Sequence, residues 1–395
     1  MKGLNMYDIA IIGAGVTGGM LARELAAYRL KICILEQGND VALGASRANS
    51  GIVHAGYDAQ SGTLKARLNV RGSEKMESLA RELGVPYARN GSLVTGFTPR
   101  DRDVIGKLYA RGIKNGVKGL RILEGEEARQ MEPELSAKVT CALHAPTAAI
   151  ICPYELTIAA IGNAMDNGAV LLTGFRVGAI AQRDGFFEIS STGKAVPGQP
   201  SQIQARYVVN AAGVHADEIA RMAGDFSFRI HPRRGEYLLL DKGCGSLTSH
   251  TLFRTPTEKG KGILITPTVD GNLLLGPTSR DLEDREDTSV TAEGLDLIRN
   301  LARENLPSLP FHKTITSFCG LRAVGDTGDF ILTSPKPGFV NAAGIESPGL
   351  TAAPAIAEML VEMLAAQGLP LVKKEDWNPI RRPAHVFRQA SLEEK

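Results

Sequence analysis

The sequence predicts an α/β protein with one parallel-sheet domain assembled from separated segments and a second domain built on a mostly antiparallel sheet. Three observations predict this. A strand, a glycine-rich turn, a helix and a second strand open the chain. Strand patterns then dominate residues 230–280. A further strand, glycine-rich turn and helix return near residue 340, so the first fold is interrupted and resumed.

The elements follow in order. YDIAII is a short apolar strand, GAGVTG a turn, GMLARELAAY a helix, and KICILE a strand ending at Glu36. Residues 64–83 read as a helix, VPYARNGSLVTGF as a turn entering a strand, and residues 101–131 as charged helix. PYELTIAAIGNAMDNGA begins with proline near its first turn, a good helix start. GAVLLTGFRVGAIAQ, FFEISS and ARYVVNAAG are strands, the last two separated by the turn-rich AVPGQPSQ. HPRRGEYLLLD, TLFRTP, GILITPT and NLLLGPT form the next strand group. Residues 291–303 are helical. FCGLRAVGD, DFILTS and FVNAAG lead to the last helix, and the polar residues from about Asp376 read as a loose surface tail.

Gly13-x-Gly15-x-x-Gly18 lies between the first strand and first helix. Gly13 permits the tight turn, Gly15 lets a pyrophosphate approach the backbone, and Gly18 lets helix and strand pack closely. The helix N-terminus, with Val16 and Thr17, turns its positive end to the phosphates. Glu36 is placed to accept both hydroxyls of an adenosine ribose. A glycine-rich loop, GNDVALGASRANSGIVHAGYD, follows in place of further β-α units. A large, permanently bound cofactor threaded between distant segments fits that better than a docking NAD. The first domain is therefore a Rossmann-like FAD-binding domain.

The formal net charge of +2 argues against nucleic acid as the main partner. Five scattered cysteines, none in CxxC spacing, give no zinc pattern and favour a reducing, cytoplasmic setting. The N-terminal residues do not read as a signal peptide, and no stretch is expected to reach the length needed to cross a bilayer. The late apolar segment TAAPAIAEMLVEMLAA carries Glu358 and Glu362 and reads as an amphipathic helix, which leaves peripheral membrane contact open.

GAGVTG with Glu36, GASRANSGIVHAG, YVVNAAGVHADEIA, FCGLRA and GIESPGLTAAPAI together resemble the glycine oxidase/D-amino-acid oxidase superfamily of FAD-dependent oxidoreductases. NSGIVHAGYDAQSGTLKARL resembles its L-2-hydroxyglutarate dehydrogenase branch. ICPYEL and residues 230–280 resemble FAD-linked glycerol-3-phosphate dehydrogenases. The resemblance covers nearly the whole chain. It implies an FAD-binding domain from 1–85, 150–225 and 320–372, a substrate domain from 86–149 and 226–319, and a tail from 373–395. It implies cofactor contacts from Gln37, Ser46, Asn49, Ser50, Val177, Ala211, Ala212, Gly213 and Gly344. Gly349, Leu350 and Thr351 are implied near the flavin N1–O2 edge, where a helix dipole stabilises the anionic reduced ring. Several relatives of this type continue into a cysteine-rich [2Fe-2S] segment, whereas no cysteine follows Cys319 here. The expectation is a cut chain, or electrons leaving through a partner subunit or iron-sulfur protein.

The resemblance implies dehydrogenation of the C–OH of a small anionic hydroxy compound by hydride transfer to flavin N5. Glycerol 3-phosphate and L-2-hydroxyglutarate-like acids lead. An alcohol needs a general base, and His54, in a run of small residues, has the most suitable pKa. Its bland alternative is to hydrogen-bond the flavin or fix the loop. Arg322 is read as the catalytic-site cation, and Arg234, Arg254 and Tyr237 as substrate-binding residues, because a guanidinium grips a carboxylate or phosphate with two parallel bonds. Ordinary ion pairs are the alternative for each arginine. Lys65 and Arg67 read as helical surface charge, and Cys319 as a buried thiol rather than a covalent flavin anchor. Two rivals stay open: an amine oxidase of the sarcosine, glycine or opine type, and a flavin electron-transfer subunit.

Overall fold

A computed structural model describes residues 6–193, 196–256, 262–381 and 391. Met6–Ile12 runs through the middle of an eight-stranded sheet. It lies parallel to Ile32–Leu35 on one side and Gln202–Asn210 on the other. Val170–Leu172 extends one flank and Phe339–Ala343 the other, both parallel. Both faces of this sheet are covered, which is why its strands read as apolar runs rather than alternating patterns. Ile9 and Ile11 pack on the helices Val16–Leu25, Leu64–Leu83, Pro153–Asp166 and Gly349–Ala366. Tyr7, Ala10 and Ile12 pack on the opposite side against Val177, Phe187 and Ile189 of the hairpin Val177–Arg183/Phe186–Ser191, and against Ile219. Each fully buried Ile contributes roughly 1.5–3 kcal/mol.

The helix Leu64–Leu83 has legible ends. Thr63 Oγ1 accepts from Ala66 N–H, Gly84 closes the other end in the left-handed region, and the Asp329 carboxylate accepts from Leu64 and Lys65 N–H. Gly349–Ala366 corrects one expectation. By length and composition it could cross a membrane, with mean hydropathy 1.4, yet 61% of that window is buried. It packs against Val16–Leu25 and Leu64–Leu83, and Glu358 is paired by Arg71 and Lys75.

A nine-stranded sheet forms the second layer. Its long members, Ile230–Leu240 and Thr314–Gly325, are antiparallel along their whole length. Thr251–Arg254 joins Ser92–Gly96 in parallel, which carries the sheet out to Cys141–Ala145 and Arg121–Glu124. The expectation of continuous helix over 101–131 is corrected: Pro99–Asn115 and Gly125–Met131 are helices, with the edge strand Arg121–Glu124 between them. Gly116 ends the first helix in the left-handed region. The strands Cys141–Ala145 and Ala149–Ile151 had no counterpart in the sequence reading.

The tail is not loose where it is described. Trp377 packs on the core, the buried Arg23 donates to Pro379 C=O, and the Arg381 guanidinium donates to Ile158 C=O. Residues 382–390 and 392–395, the rest of that tail, lie outside the described residues, as do Lys194 and Ala195, the second of which opens the AVPGQPSQ loop.

Candidate active site

A cleft of about 1280 Å³ runs from the glycine turn of the parallel sheet to the face of the antiparallel sheet. That exceeds the roughly 300–1,000 Å³ of a site for one drug-sized ligand. Its first end is backbone. Gly13 has φ of +108°, and a Cβ there would lie 2.4 Å from Ala211 O. A Cβ on Gly18 would meet Gly13 O at 2.0 Å, so helix and strand close up only around glycine. Gly13, Gly15, Val16 and Thr17 line the cleft, and Val16 N–H donates to Ser46 Oγ. The Glu36 carboxylate accepts from Ala14 N–H at 2.9 Å and Gly38 N–H at 2.8 Å. Gln37, Ser46, Asn49, Ser50, Val177, Ala211, Ala212, Gly213, Gly349 and Leu350 also line the cleft. Asn49 chiefly folds its own loop: its amide donates to Ala45 and Ser46 C=O and accepts from Gly51 N–H.

Three implied cofactor residues stand back from the cleft wall. Gly18 is used in packing. Gly344, with φ of +64°, turns the chain beside Ile331. Thr351 is fully buried, and its hydroxyl accepts from His54 N–H at 2.9 Å and donates to Ile52 C=O at 3.2 Å. Asn69, equally buried, donates to His54 C=O at 3.1 Å. His54 is thus gripped at both peptide groups, with its ring in the cleft, 5.8 Å from the Phe253 ring centre and 3.4 Å (Nε2) from Ser347 Oγ. Thr351 and Asn69 as holders of His54 were missed in the sequence, where neither has a local signal.

The other wall is the face of the two long antiparallel strands. Their register pairs Arg233 with Arg322, Gly235 with Gly320, and Tyr237 with Phe318. Arg322, Gly235, Gly320 and Tyr237 all line the cleft. A Cβ on Gly320 would meet Ala48 O at 2.0 Å, so the cofactor-side loop seats on that glycine. Arg322 donates through Nη2 to Thr278 C=O at 2.8 Å and Arg234 C=O at 3.2 Å. Its Nε is buried without a hydrogen-bond partner, and no carboxylate pairs with it among the described residues.

Two substrate-binding expectations change here. Side chains alternate along a strand, so Arg234, 4% exposed, turns to the opposite face, where Asp287 and Ser289 hold it. Arg233 is the neighbour that lines the cleft. Arg254 does line it, but is paired with Glu304 and lies over the Phe97 ring. Tyr237 stacks on Phe318 at 4.9 Å, and burial pushes its phenol up to about 12, so it stays neutral. Burial likewise raises the Cys319 thiol, as suits an inert buried cysteine. Lys65 is paired with Glu346 at 2.9 Å beside the cleft, while Arg67 is exposed.

These residues suit a flavin dinucleotide. Bare backbone at Gly13, Gly15 and Gly213 faces the cleft at a helix N-terminus. Asn69, which lines it, keeps a buried Oδ1 without a partner. The volume holds a dinucleotide and a small molecule together. Fold and cleft define a dinucleotide-dependent protein with a chemically equipped second wall. Residues 8–363 match the model of the family described as FAD dependent oxidoreductase, and the chain belongs to that family. FAD is its cofactor, and it is an FAD-dependent oxidoreductase. The chain is 44% identical over 392 residues to a glycerol 3-phosphate dehydrogenase of Caloramator mitchellensis, covering 99% of this chain and 80% of that one. It is 31% identical to a glycerol 3-phosphate oxidase of Mycoplasma genitalium, covering 95% and 98%. The dithionite-reduced L-alpha-glycerophosphate oxidase of Mycoplasma pneumoniae with FAD bound superposes with a TM-score of 0.89, at 31% identity, covering 96% of this chain and 99% of that one.

Proposed function

We propose that the enzyme oxidises the secondary hydroxyl of glycerol 3-phosphate. The observation that carries this reading is that His54 and the acid-free Arg322 line one cleft. The names of the similar proteins support the choice of substrate. In this reading the cofactor is held by 1–85, 150–225 and 320–372, and 86–149 with 226–319 roof the substrate. The helix N-terminus at Gly15–Thr17 faces the pyrophosphate. Glu36 uses its remaining lone pairs for ribose hydroxyls, with Gln37 and Val177 flanking the adenosine. Ser46, Asn49, Ser50, Ala211, Ala212, Gly213, Gly349 and Leu350 enclose the rest.

When bound, FAD would supply the acceptor for the hydride, the hydrogen with its electron pair, that leaves the carbinol carbon. His54 removes the hydroxyl proton on its imidazole, and its two main-chain anchors stop the ring from drifting out of reach. Arg322 binds the substrate anion with its unused donors and fixes which carbon faces the cofactor. A cytoplasmic enzyme is part of this reading, in keeping with five free cysteines. The similar proteins carry both dehydrogenase and oxidase names, so oxygen uptake compared with dye reduction assigns the acceptor.

Anaerobic stopped-flow mixing with glycerol 3-phosphate, L-2-hydroxyglutarate, lactate, sarcosine and proline tests the reading. Fast bleaching of the flavin by glycerol 3-phosphate is expected. Bleaching by L-2-hydroxyglutarate alone moves the substrate to a dicarboxylate. Bleaching by an amine alone overturns the alcohol chemistry.

A further inference from the structure

The antiparallel wall breaks a rule of sheet design. Two like charges directly opposite each other on one face destabilise a ladder, yet Arg233 sits opposite Arg322. Such violations mark sites kept for function. The rows beside this pair are telling. Arginine faces arginine, then glycine faces glycine, then Tyr237 faces Phe318. The glycine row lets other chain segments close on the sheet between the two guanidinium groups and the two aromatic rings: Ala48 C=O seats on Gly320 and Pro277 on Gly235. Arg322 lies beside Pro277 over Gly235: its Nη2 would be 3.6 Å from a Cβ there.

Arg233 is held differently. The edge strand Arg280–Asp281 brings Asp281 to its other side, where Nε and Nη2 donate to the carboxylate at 2.5 and 3.1 Å. The Asp281 side chain is 62% exposed, on a strand of two residues. The pair is bidentate, but a carboxylate so exposed is readily solvated when released, so a more highly charged anion can take its place on Arg233. Among the described residues, the two long strands therefore give the cleft Arg322, which has no acid, and Arg233, whose acid can be displaced.

This inference rests on the glycerol 3-phosphate reading and deepens it. We propose that Arg233 is the residue that selects a phosphate dianion: the substrate phosphate, first met by Arg322, displaces Asp281 and takes Arg233 as its second cation. A single carboxylate needs only Arg322. A phosphate, with about two negative charges at neutral pH, needs both. Asp281 keeps the like-charged pair tolerable in the empty cleft and lowers its attraction for monoanions.

The test compares FAD-loaded wild type with Arg233→Leu and Asp281→Asn. The first readout is the ratio of kcat/KM for glycerol 3-phosphate to that for glycerol. We expect Arg233→Leu to lower that ratio about 10- to 100-fold, the range for lost hydrogen bonds to a charged group, chiefly through KM. Asp281→Asn is expected to lower the KM for glycerol 3-phosphate. An unchanged ratio, or equal losses for both substrates, overturns the proposal. The second readout is titration with inorganic phosphate, followed by the change in flavin absorption. It needs no turnover. If glycerol 3-phosphate fails to bleach the wild-type enzyme, the functional reading falls by itself. The role of Arg233 is then judged by phosphate alone: binding weakened in Arg233→Leu upholds it, and equal binding in both proteins overturns it.

Discussion

The two walls of the cleft are built by different means. On the parallel sheet the wall is main chain, and glycines bring one peptide against another at Gly13, Gly18 and Ala211. On the antiparallel sheet the wall is side chains, sorted by strand alternation into a cleft face with Arg233 and Tyr237 and a far face with Arg234 and Glu236. The first design tolerates no added atom. Away from the glycine row, where a Cβ on Gly320 would meet Ala48 O at 2.0 Å, the second tolerates changes of size but not of charge. A defect on the first wall should therefore show as lost fold and lost cofactor, and one on the second as lost turnover with the protein intact.

The largest expected effect tests the first wall. Gly18→Val drives a branched side chain into Gly13 C=O, and we expect on the order of 4 kcal/mol or more of destabilisation and no FAD in the purified protein, read by thermal unfolding and absorbance. A stable, yellow variant would break the comparison. His54→Ala comes next. It should keep its FAD but slow anaerobic bleaching by glycerol 3-phosphate about 10²- to 10⁴-fold, and a rate within threefold of wild type would reduce His54 to a loop-fixing role.

The far face of the strand gives the opposite signature. The Glu236 carboxylate, 3% exposed, accepts from Thr278 Oγ1 at 2.8 Å and from the N–H and hydroxyl of Thr291, the N-cap of Ala292–Asn305. Glu236→Ala should cost about 3 kcal/mol of stability while KM stays near wild type. A raised KM with an unchanged melting temperature would contradict the division of faces.

The smallest effect concerns pH. Burial alone would raise the Asp217 carboxyl, but hydrogen bonds from Arg285 and the Ile230 N–H, with the charges of Arg285 and Arg221, outweigh it and hold the group below the usual range. The stabilisation is present above the unfolded value of about 3.9 and is lost as pH falls through the lower folded value. Melting temperature should therefore be flat at neutral pH and fall in acid. Asp217→Asn should be destabilised by about 2 kcal/mol near pH 7 and by much less below pH 3. An equal deficit at both values would show that the charge is irrelevant there.

The parallel wall was legible in the sequence because its signal is local. Strand, glycine spacing, helix and terminal acid lie within Tyr7–Glu36, and each glycine has one steric purpose. The antiparallel wall was not, because alternation tells that neighbours diverge but not which one faces the cleft. In Arg233-Arg234-Gly235 both candidates are arginine, and only the ladder with Thr314–Gly325 fixes the phase. That Thr351 and Asn69 hold His54 was unreadable for a further reason. Their partner is the main chain of His54, 15 residues from Asn69 and 297 from Thr351, and a hydrogen bond to a peptide leaves no pattern in residue types. Arg254 looked like a substrate ligand until Glu304, from a distant helix, was seen to occupy it.

The most direct test of the division between the walls is Arg322→Met, assayed for bound FAD and for anaerobic bleaching in one preparation. Arg322 lies in the C-terminal part of the chain but projects from the antiparallel wall. We expect a full complement of FAD and a half-saturating glycerol 3-phosphate concentration raised about 30- to 1,000-fold, the loss of a charge-assisted anion contact. Loss of FAD with bleaching by glycerol 3-phosphate unimpaired in the fraction that retains it would contradict the assignment of substrate to that wall.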